Sequence, residues 1–355
     1  MSTPQDQALH YPLGDQLPAP GQALDLAPGV RWVRWVRMGL PFALDHVNLW
    51  LLRDRIDGVD GWTAVDTGIA NDATRAAWEQ LFREALDGLP LLRLVVTHMH
   101  PDHIGLAQWL TVRWNCRLWI SATDYHAACT GSRTTTGHGG AAAAAFFGRH
   151  GLSDPEALDK VSRRGGYYAS MVPEVPAQFA RLLDGQRLRI GEHDWHCIAG
   201  YGHAPEHISL HCPALGVLIS GDMLLPRIST NVSVLDQEPE ANPLPLYLAS
   251  LERLAVLPAK TLVLPSHGKP FVGIGPRVAQ LREHHEKRLQ EVLQACAVQP
   301  LHAAGLLPLL FRRPLDLHQT TFAMGEAIAH LHALWQDGRL QRLAGPDGVW
   351  RFAPP

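Results

Sequence analysis

VVTHMHPDHIGLAQWL, residues 95 to 110, places three histidines and an aspartate within six positions, between a β-branched run and a stretch patterned as a helix. A lone histidine needs no explanation. Four nitrogen and oxygen donors crowded at the end of a strand serve no packing purpose, and they are the raw material of a metal site. The four are His98, His100, Asp102 and His103, an HxHxDH pattern. A spacing of two along extended chain puts His98 and His100 on one side, where both can hold the same ion. Asp102 and His103 fall past the bend and can diverge toward a second, so one turn can seed two adjacent sites.

Outward from this stretch, LLRLVVTH reads as a buried strand that delivers His98 to its end. Before it lies a helix, NDATRAAWEQLFREAL, with caps offered by Asn71 or Asp72, and before that three strands, VRWVRWVRM, HVNLWLLRD and GWTAVDTG. Strand, helix, strand with the donors at a carboxyl edge is an α/β layered arrangement. Further donors close later strand-like runs: His203 in AGYGHAPEH, Asp222 in LISGDM and His267 in LPSHGKP. Intervals of 100, 19 and 45 residues separate them from His103 onward, so only a fold can bring them together.

HxHxDH, GH, GD and a late SHG in that order resemble the metallo-β-lactamase fold superfamily. The resemblance spans residues 27–275 and implies a four-layer αββα sandwich, an α/β fold carrying a dinuclear metal centre at the sheet edge. Carried over residue by residue, His98, His100 and His203 match the ligands of one ion, and Asp102, His103 and His267 those of the other. Asp222 matches the bridging carboxylate. The tail extends the comparison. A charged connector helix over 276–297, two helices and a hairpin over 298–355 resemble the small C-terminal α+β, winged-helix-like unit of the branch containing the glyoxalase II-like and β-lactamase-like protein 2 groups. Residues 1–26 read as a Pro-rich lead-in, and 124–185 as an insertion of different texture.

The resemblance implies metal-assisted hydrolysis. Two divalent ions about 3.5–4 Å apart hold a water between them, lower its pKa toward neutrality and polarise the scissile group. Imidazole and carboxylate donors suit zinc first, with iron or manganese as alternatives. Asp102 and Asp222 are the carboxylates expected to act in catalysis. An aspartate at 222, where the commonest zinc β-lactamases place a cysteine, points to glyoxalase II-like thioesterases, lactonases or the nuclease branch. An ester or thioester substrate (acyl-CoA, glutathione thioester or lactone) is favoured, because Phe146, Phe147, Tyr167, Tyr168 and Met171 in the insertion can line an acyl pocket. The same side chains would otherwise be the insertion's own core. Asp66 is expected to support the turn below the metals, and His207 to orient a ligand or cap the chain. His126, His138, His284 and His285 read as solvated, and Lys160, Arg163 and Arg164 as a charged helix face.

Composition sets bounds on partners. The 355 residues carry a formal net charge of −3, 46% hydrophobic residues and 18% charged ones, with nothing that attracts a polyanion overall. A metal-dependent endoribonuclease or other phosphodiesterase is the alternative reading. Against it, residues 301–355 hold five arginines and four acids, a net of only +1 where nucleic-acid binding wants a basic face. Five scattered cysteines without a CxxC pair argue against disulfides and a thiolate metal site. No apolar run approaches the ~18 residues of a membrane helix, and no secretory pattern opens the chain. The expectation is a cytoplasmic enzyme acting on a small molecule, with no membrane partner and a homodimer as one option.

Overall fold

The computed structural model describes residues 9–36, 46–134 and 139–355. Four strands come first: β1 (Ala23–Ala27), β2 (Val30–Val36), β3 (His46–Ile56) and β4 (Val59–Val65). Helix α1 (Asp72–Glu84), β5 (Leu91–Val95), α2 (Pro101–Ile104), α3 (Ala107–Trp114), β6 (Arg117–Ser121) and α4 (Ala122–Gly131) follow. Then come α5 (Ala141–Arg149), α6 (Pro155–Ser162), α7 (Tyr167–Met171) and β7 (Phe179–Leu182). A second run of strands is β8 (Arg187–Ile190), β9 (His193–Gly200), β10 (His207–Cys212) and β11 (Val217–Gly221). After α8 (Pro243–Ala255) come β12 (Leu262–Pro265) and β13 (Phe271–Val272). The chain ends with α9 (Ile274–Val298), α10 (Ala303–Leu310), α11 (Leu317–Gln336) and the hairpin β14 (Gln341–Ala344) and β15 (Trp350–Ala353).

Strands β1 to β7 form one sheet in chain order, and a second is ordered β13-β12-β11-β10-β9-β8. From β4 to β7 the pairing is parallel, because a helix carries the chain back between successive strands. Alternation decides what each strand buries. Trp32, Trp50, Val65 and Val95 meet Trp195, Cys197, Ile208, Leu210 and Leu264 of the second sheet in one core. Their neighbours Val33, Trp35, Leu49, Leu51 and Leu94 point the other way, into a core with Trp78, Leu81 and Leu110 of α1 and α3. Burial on both faces is why these strands read as near-continuous apolar runs. Helix α1 starts where the sequence places it, with the Asn71 side chain accepting the Thr74 N–H.

The chain divides into two compact units. The first holds 1–132, 168–230 and 250–278, and the second 133–167, 231–249 and 279–355. Several expected boundaries move accordingly. The insertion expected over 124–185 narrows to 133–167, since α4 and α7 stay with the first unit and β7 pairs with β6 as a sheet strand. Strand β1 lies partly inside the expected 1–26 lead-in, paired with β2. The catalytic domain expected as a continuous 27–275 gives residues 231–249 to the second unit, so the C-terminal unit is more than 298–355.

Within the second unit, α11 opens on a capping box of Asp316 and Gln319. It buries Met324, Ala327, Ile328, Leu331 and Leu334, and also His330 and His332. His285, expected as solvated, is buried, with its Nδ1 3.3 Å from His330 Nε2. His138 lies outside the described residues. Along α6 and its C-cap, Lys160 pairs with Glu156 and Arg163 with Asp159 on an exposed, charged face.

Candidate metal centre

The donors gather beyond the carboxyl ends of strands: His98 and His100 after β5 with Asp102 and His103 in the adjoining α2, His203 after β9, Asp222 after β11 and His267 after β12. Local sequence fixes the first turn. Pro101 at the start of α2 keeps His100 extended (φ −63°, ψ 150°), so it stays in register with His98 before the chain turns helical. Gly221 holds φ +55°, and a Cβ there would lie 2.1 Å from His207 Nε2, so only glycine lets the chain turn into Asp222 against that ring. Backbone bonds cross-link these loops: Ile208 N–H to Thr97 O at 2.8 Å and Ser266 N–H to Gly221 O at 3.1 Å.

Among the described residues, three sets place ligating atoms within 4.8 Å of one another: His98, His100 and His203; His98, His103 and Asp222; Asp102, His103 and His267. His98 Nε2 is 2.9 Å from His100 Nδ1 and 3.2 Å from His203 Nε2. Across from them, Asp102 Oδ2 is 3.5 Å from His103 Nε2 and 3.4 Å from His267 Nε2. Asp222 faces both triads. Its Oδ2 is 3.5 Å from His203 Nε2, and its Oδ1 is 3.7 Å from His103 Nε2 and 3.5 Å from His267 Nε2. One carboxylate with an oxygen toward each nest is the arrangement a bridging ligand requires.

The surroundings decide which ring atoms are available. His103 Nδ1 lies 2.8 Å from Asp66 Oδ2, an acceptor, which puts a proton on Nδ1 and turns Nε2, the atom a cation would take, inward. His267 is fixed the same way by the His46 carbonyl, 2.7 Å from its Nδ1. Thr97 Oγ1 contacts both His98 Nδ1 and Asp66. Asp66 itself takes φ +64°, held there while accepting the Thr97 N–H. His207 Nε2 accepts the Asp222 N–H at 3.2 Å, so the two residues anticipated as support, Asp66 and His207, contact a donor each.

Electrostatics matches the geometry. Burial and the neighbouring rings hold His98 well below its ordinary value, hence neutral. Burial alone would raise Asp102, but the charges on His103 and His267 outweigh it and bring the carboxyl to about 2; Asp222 is lowered by the same pair against its own burial. In return, and against burial, the carboxylates raise His103 well above the usual imidazole range and His267 to about 10. Protons on His103 and His267 thus balance the two carboxylates when no cation does. Buried His103 Nε2 and Asp222 Oδ1 have no hydrogen-bond partner among the described residues, as expected of atoms shaped to receive an ion. The donor set therefore fits two divalent ions, His98, His100 and His203 for one, Asp102, His103 and His267 for the other, Asp222 for both. No cysteine belongs to it.

The side chains expected to line an acyl pocket are placed differently. Tyr168 is a core residue of the first unit, its hydroxyl donating to the Met99 carbonyl, and Met171 packs partly buried against the same core. Tyr167 groups with the second unit, its hydroxyl 3.3 Å from His318 Nε2, and Phe146 and Phe147 are buried in that unit. Packing demand, not a ligand, accounts for Tyr168. Sequence reasoning missed Asn48, His46 and Asp124, which hold the donor loops through backbone groups and leave no motif.

The Metallo-beta-lactamase superfamily profile matches residues 43–267, and the profile of a metallo-beta-lactamase-like C-terminal domain matches residues 289–355. A Bacillus subtilis (strain 168) protein named a probable metallo-hydrolase is 24% identical over 331 residues, 84% of this chain and 91% of that one. A crystal structure of a beta-lactamase domain protein from Burkholderia ambifaria superposes with a TM-score of 0.93 at 55% identity, covering 99% of this chain and 100% of that one. A metallo-beta-lactamase family protein from Thermus thermophilus gives 0.73 at 28% identity, covering 93% and 100%.

Proposed function

This chain belongs to the metallo-beta-lactamase superfamily and is a metal-dependent hydrolase; from that premise we propose that it cleaves an ester or thioester, of acyl-CoA, glutathione-thioester or lactone type, with two divalent ions, zinc first and iron or manganese as alternatives. The carrying observation is Asp222, whose two oxygens face two separate triads of donors. When bound, two such ions supply an activated water and a polarised carbonyl, so no serine or cysteine nucleophile is needed. The protein's part is to hold and orient. Neutral His98, with His100 and His203, offers nitrogen lone pairs to one ion. Asp66 and the His46 carbonyl fix the tautomers of His103 and His267 for the other. Asp102, anionic and partly exposed beside His103 and His267, is the group we assign to take up the proton that the attacking water gives up and to pass it to the leaving oxygen or sulfur.

Cleavage of nucleic acid is the weaker reading. Three of the five tail arginines are already paired, Arg342 with Glu240, Arg351 with Asp347 and Arg339 with Asp337, which leaves little basic surface for phosphates. The test is one preparation purified with its metals. Its metals are counted by mass spectrometry, and it is assayed on acyl-CoA and glutathione thioesters, lactones, a cephalosporin and single-stranded RNA. Chelator-sensitive turnover of a thioester or lactone with two equivalents of metal is expected. Turnover of RNA alone would overturn the substrate class, and a metal-free protein that cannot be reconstituted would overturn the hydrolase reading.

A further inference from the structure

Asp124 lies at the first turn of α4, outside every metal motif, and its carboxylate is fully buried. Its two oxygens do separate work. Oδ1 accepts the backbone N–H of Met99 at 2.8 Å, and Oδ2 accepts the backbone N–H of Glu206 at 2.6 Å. Met99 is the residue between His98 and His100, and Glu206 closes the loop that carries His203. One carboxylate therefore binds together the two chain segments that supply the first triad, segments about a hundred residues apart in sequence. The attachment is reinforced on both sides. Tyr168 donates its hydroxyl to the carbonyl of the same Met99, and Thr123 donates to the Glu206 carboxylate at 2.8 Å. Ser121, also buried, orients Asp124 through a contact of 3.2 Å. No comparable link from Asp124 runs to Asp102, His103 or His267 among the described residues.

A buried carboxylate is costly unless its hydrogen bonds require it, and here both N–H groups do, since neither is satisfied within a helix or sheet. We infer that Asp124 is a positioning residue specific to the first metal site: it sets the separation of His98 and His100 from His203, and so the affinity of that site alone. The inference rests on the metal-ligand reading above, and the test keeps the two apart.

The full chain, stripped of metal, is titrated with cobalt(II) as wild type and as Asp124→Asn, and the d–d absorption of each site is followed. His100→Ala and His267→Ala serve as references that assign the bands to the first and second site. Asparagine keeps the shape but must turn its NH2 toward one of the two N–H groups, which breaks that bond. The expected result is a loss of about tenfold or more in first-site affinity with an altered first-site band, and a second-site constant within about twofold of wild type. Tyr168→Phe, which removes only the hydroxyl on the Met99 carbonyl, is expected to weaken the same site less and keeps the question open to test should Asp124→Asn fold poorly. Equal weakening of both sites, or of neither, in a wild type that binds two cobalt ions overturns the inference. A wild type that binds no cobalt overturns the metal-ligand reading beneath it.

Discussion

At the scale of single residues, the centre is governed by where protons sit. His103 is raised well above its ordinary value and His267 to about 10, each against burial and by neighbouring carboxylates, so at pH 7 both rings are protonated while the site holds no cation. A group whose folded value is raised keeps its proton until the pH passes that value, and an entering metal must expel it. Affinity at the Asp102, His103 and His267 site therefore rises with pH from about 6.5 toward 10, and each binding event releases about two protons at pH 7.5. Calorimetric titration of zinc in buffers of different ionisation enthalpy reads that number directly; a heat independent of buffer contradicts it. Asp66 offers a second test. Asparagine in its place would present an NH2 to His103 Nδ1, so that once the ring is neutral its proton would sit on the Nε2 that faces the site and not on Nδ1. Asp66→Asn is expected to lower second-site affinity by about 10–100-fold with the first site nearly intact, read as metal content after dialysis against graded free zinc.

At the scale of elements, the donors were legible in the sequence and the scaffolding that aims them was not. His98, His100, Asp102 and His103 are contiguous enough for spacing alone to reveal them, and His203, Asp222 and His267 each close a visible strand. Asn48 has no such signature, because its work is done on backbone atoms more than two hundred residues away. From the start of β3 its Nδ2 donates to the Pro265 carbonyl at 2.7 Å and the Gly268 carbonyl at 2.8 Å, while its Oδ1 accepts the Trp32 indole N–H. The loop bearing His267 is thereby hung on the opposite sheet, and the His46 carbonyl on the same strand fixes the ring. Replacing Asn48 by aspartate turns two donors into acceptors aimed at two buried carbonyls. The expected cost is about 2–5 kcal/mol, the sum of two unsatisfied buried groups. Urea unfolding of the chelated protein should show the midpoint falling with an unchanged slope. Strand β7 was hidden for a related reason: four residues, FARL, carry no period of their own and are recruited by pairing with β6.

At the scale of the whole molecule, a reading that runs along the chain assigns domains as continuous spans, and this fold does not respect that. The second unit is assembled from three separated segments, so packing joins residues that boundaries at 124, 185, 275 and 298 keep apart. The same discontinuity makes the metals part of the stability of the first unit. His98, His203, Asp222 and His267 come from four loops following four different strands. Without cations the carboxylates of Asp102 and Asp222 are balanced by protons on His103 and His267. A cation bound by the folded chain and not by the unfolded one adds about 4 kcal/mol per site when free metal exceeds the dissociation constant a thousandfold. Chelation should therefore lower the melting temperature by several degrees, and zinc should restore it in proportion to the logarithm of its free concentration. The cation-free and zinc-loaded forms should respond differently to alkali. The cation-free form loses the contribution of His267 as the pH climbs from about 6.5 to about 10, because the raised imidazole then gives up the proton that balances Asp222. The zinc-loaded form has no such proton to lose, so the gap between the two melting curves should widen over that interval, and a constant gap would mean that the ions bind elsewhere.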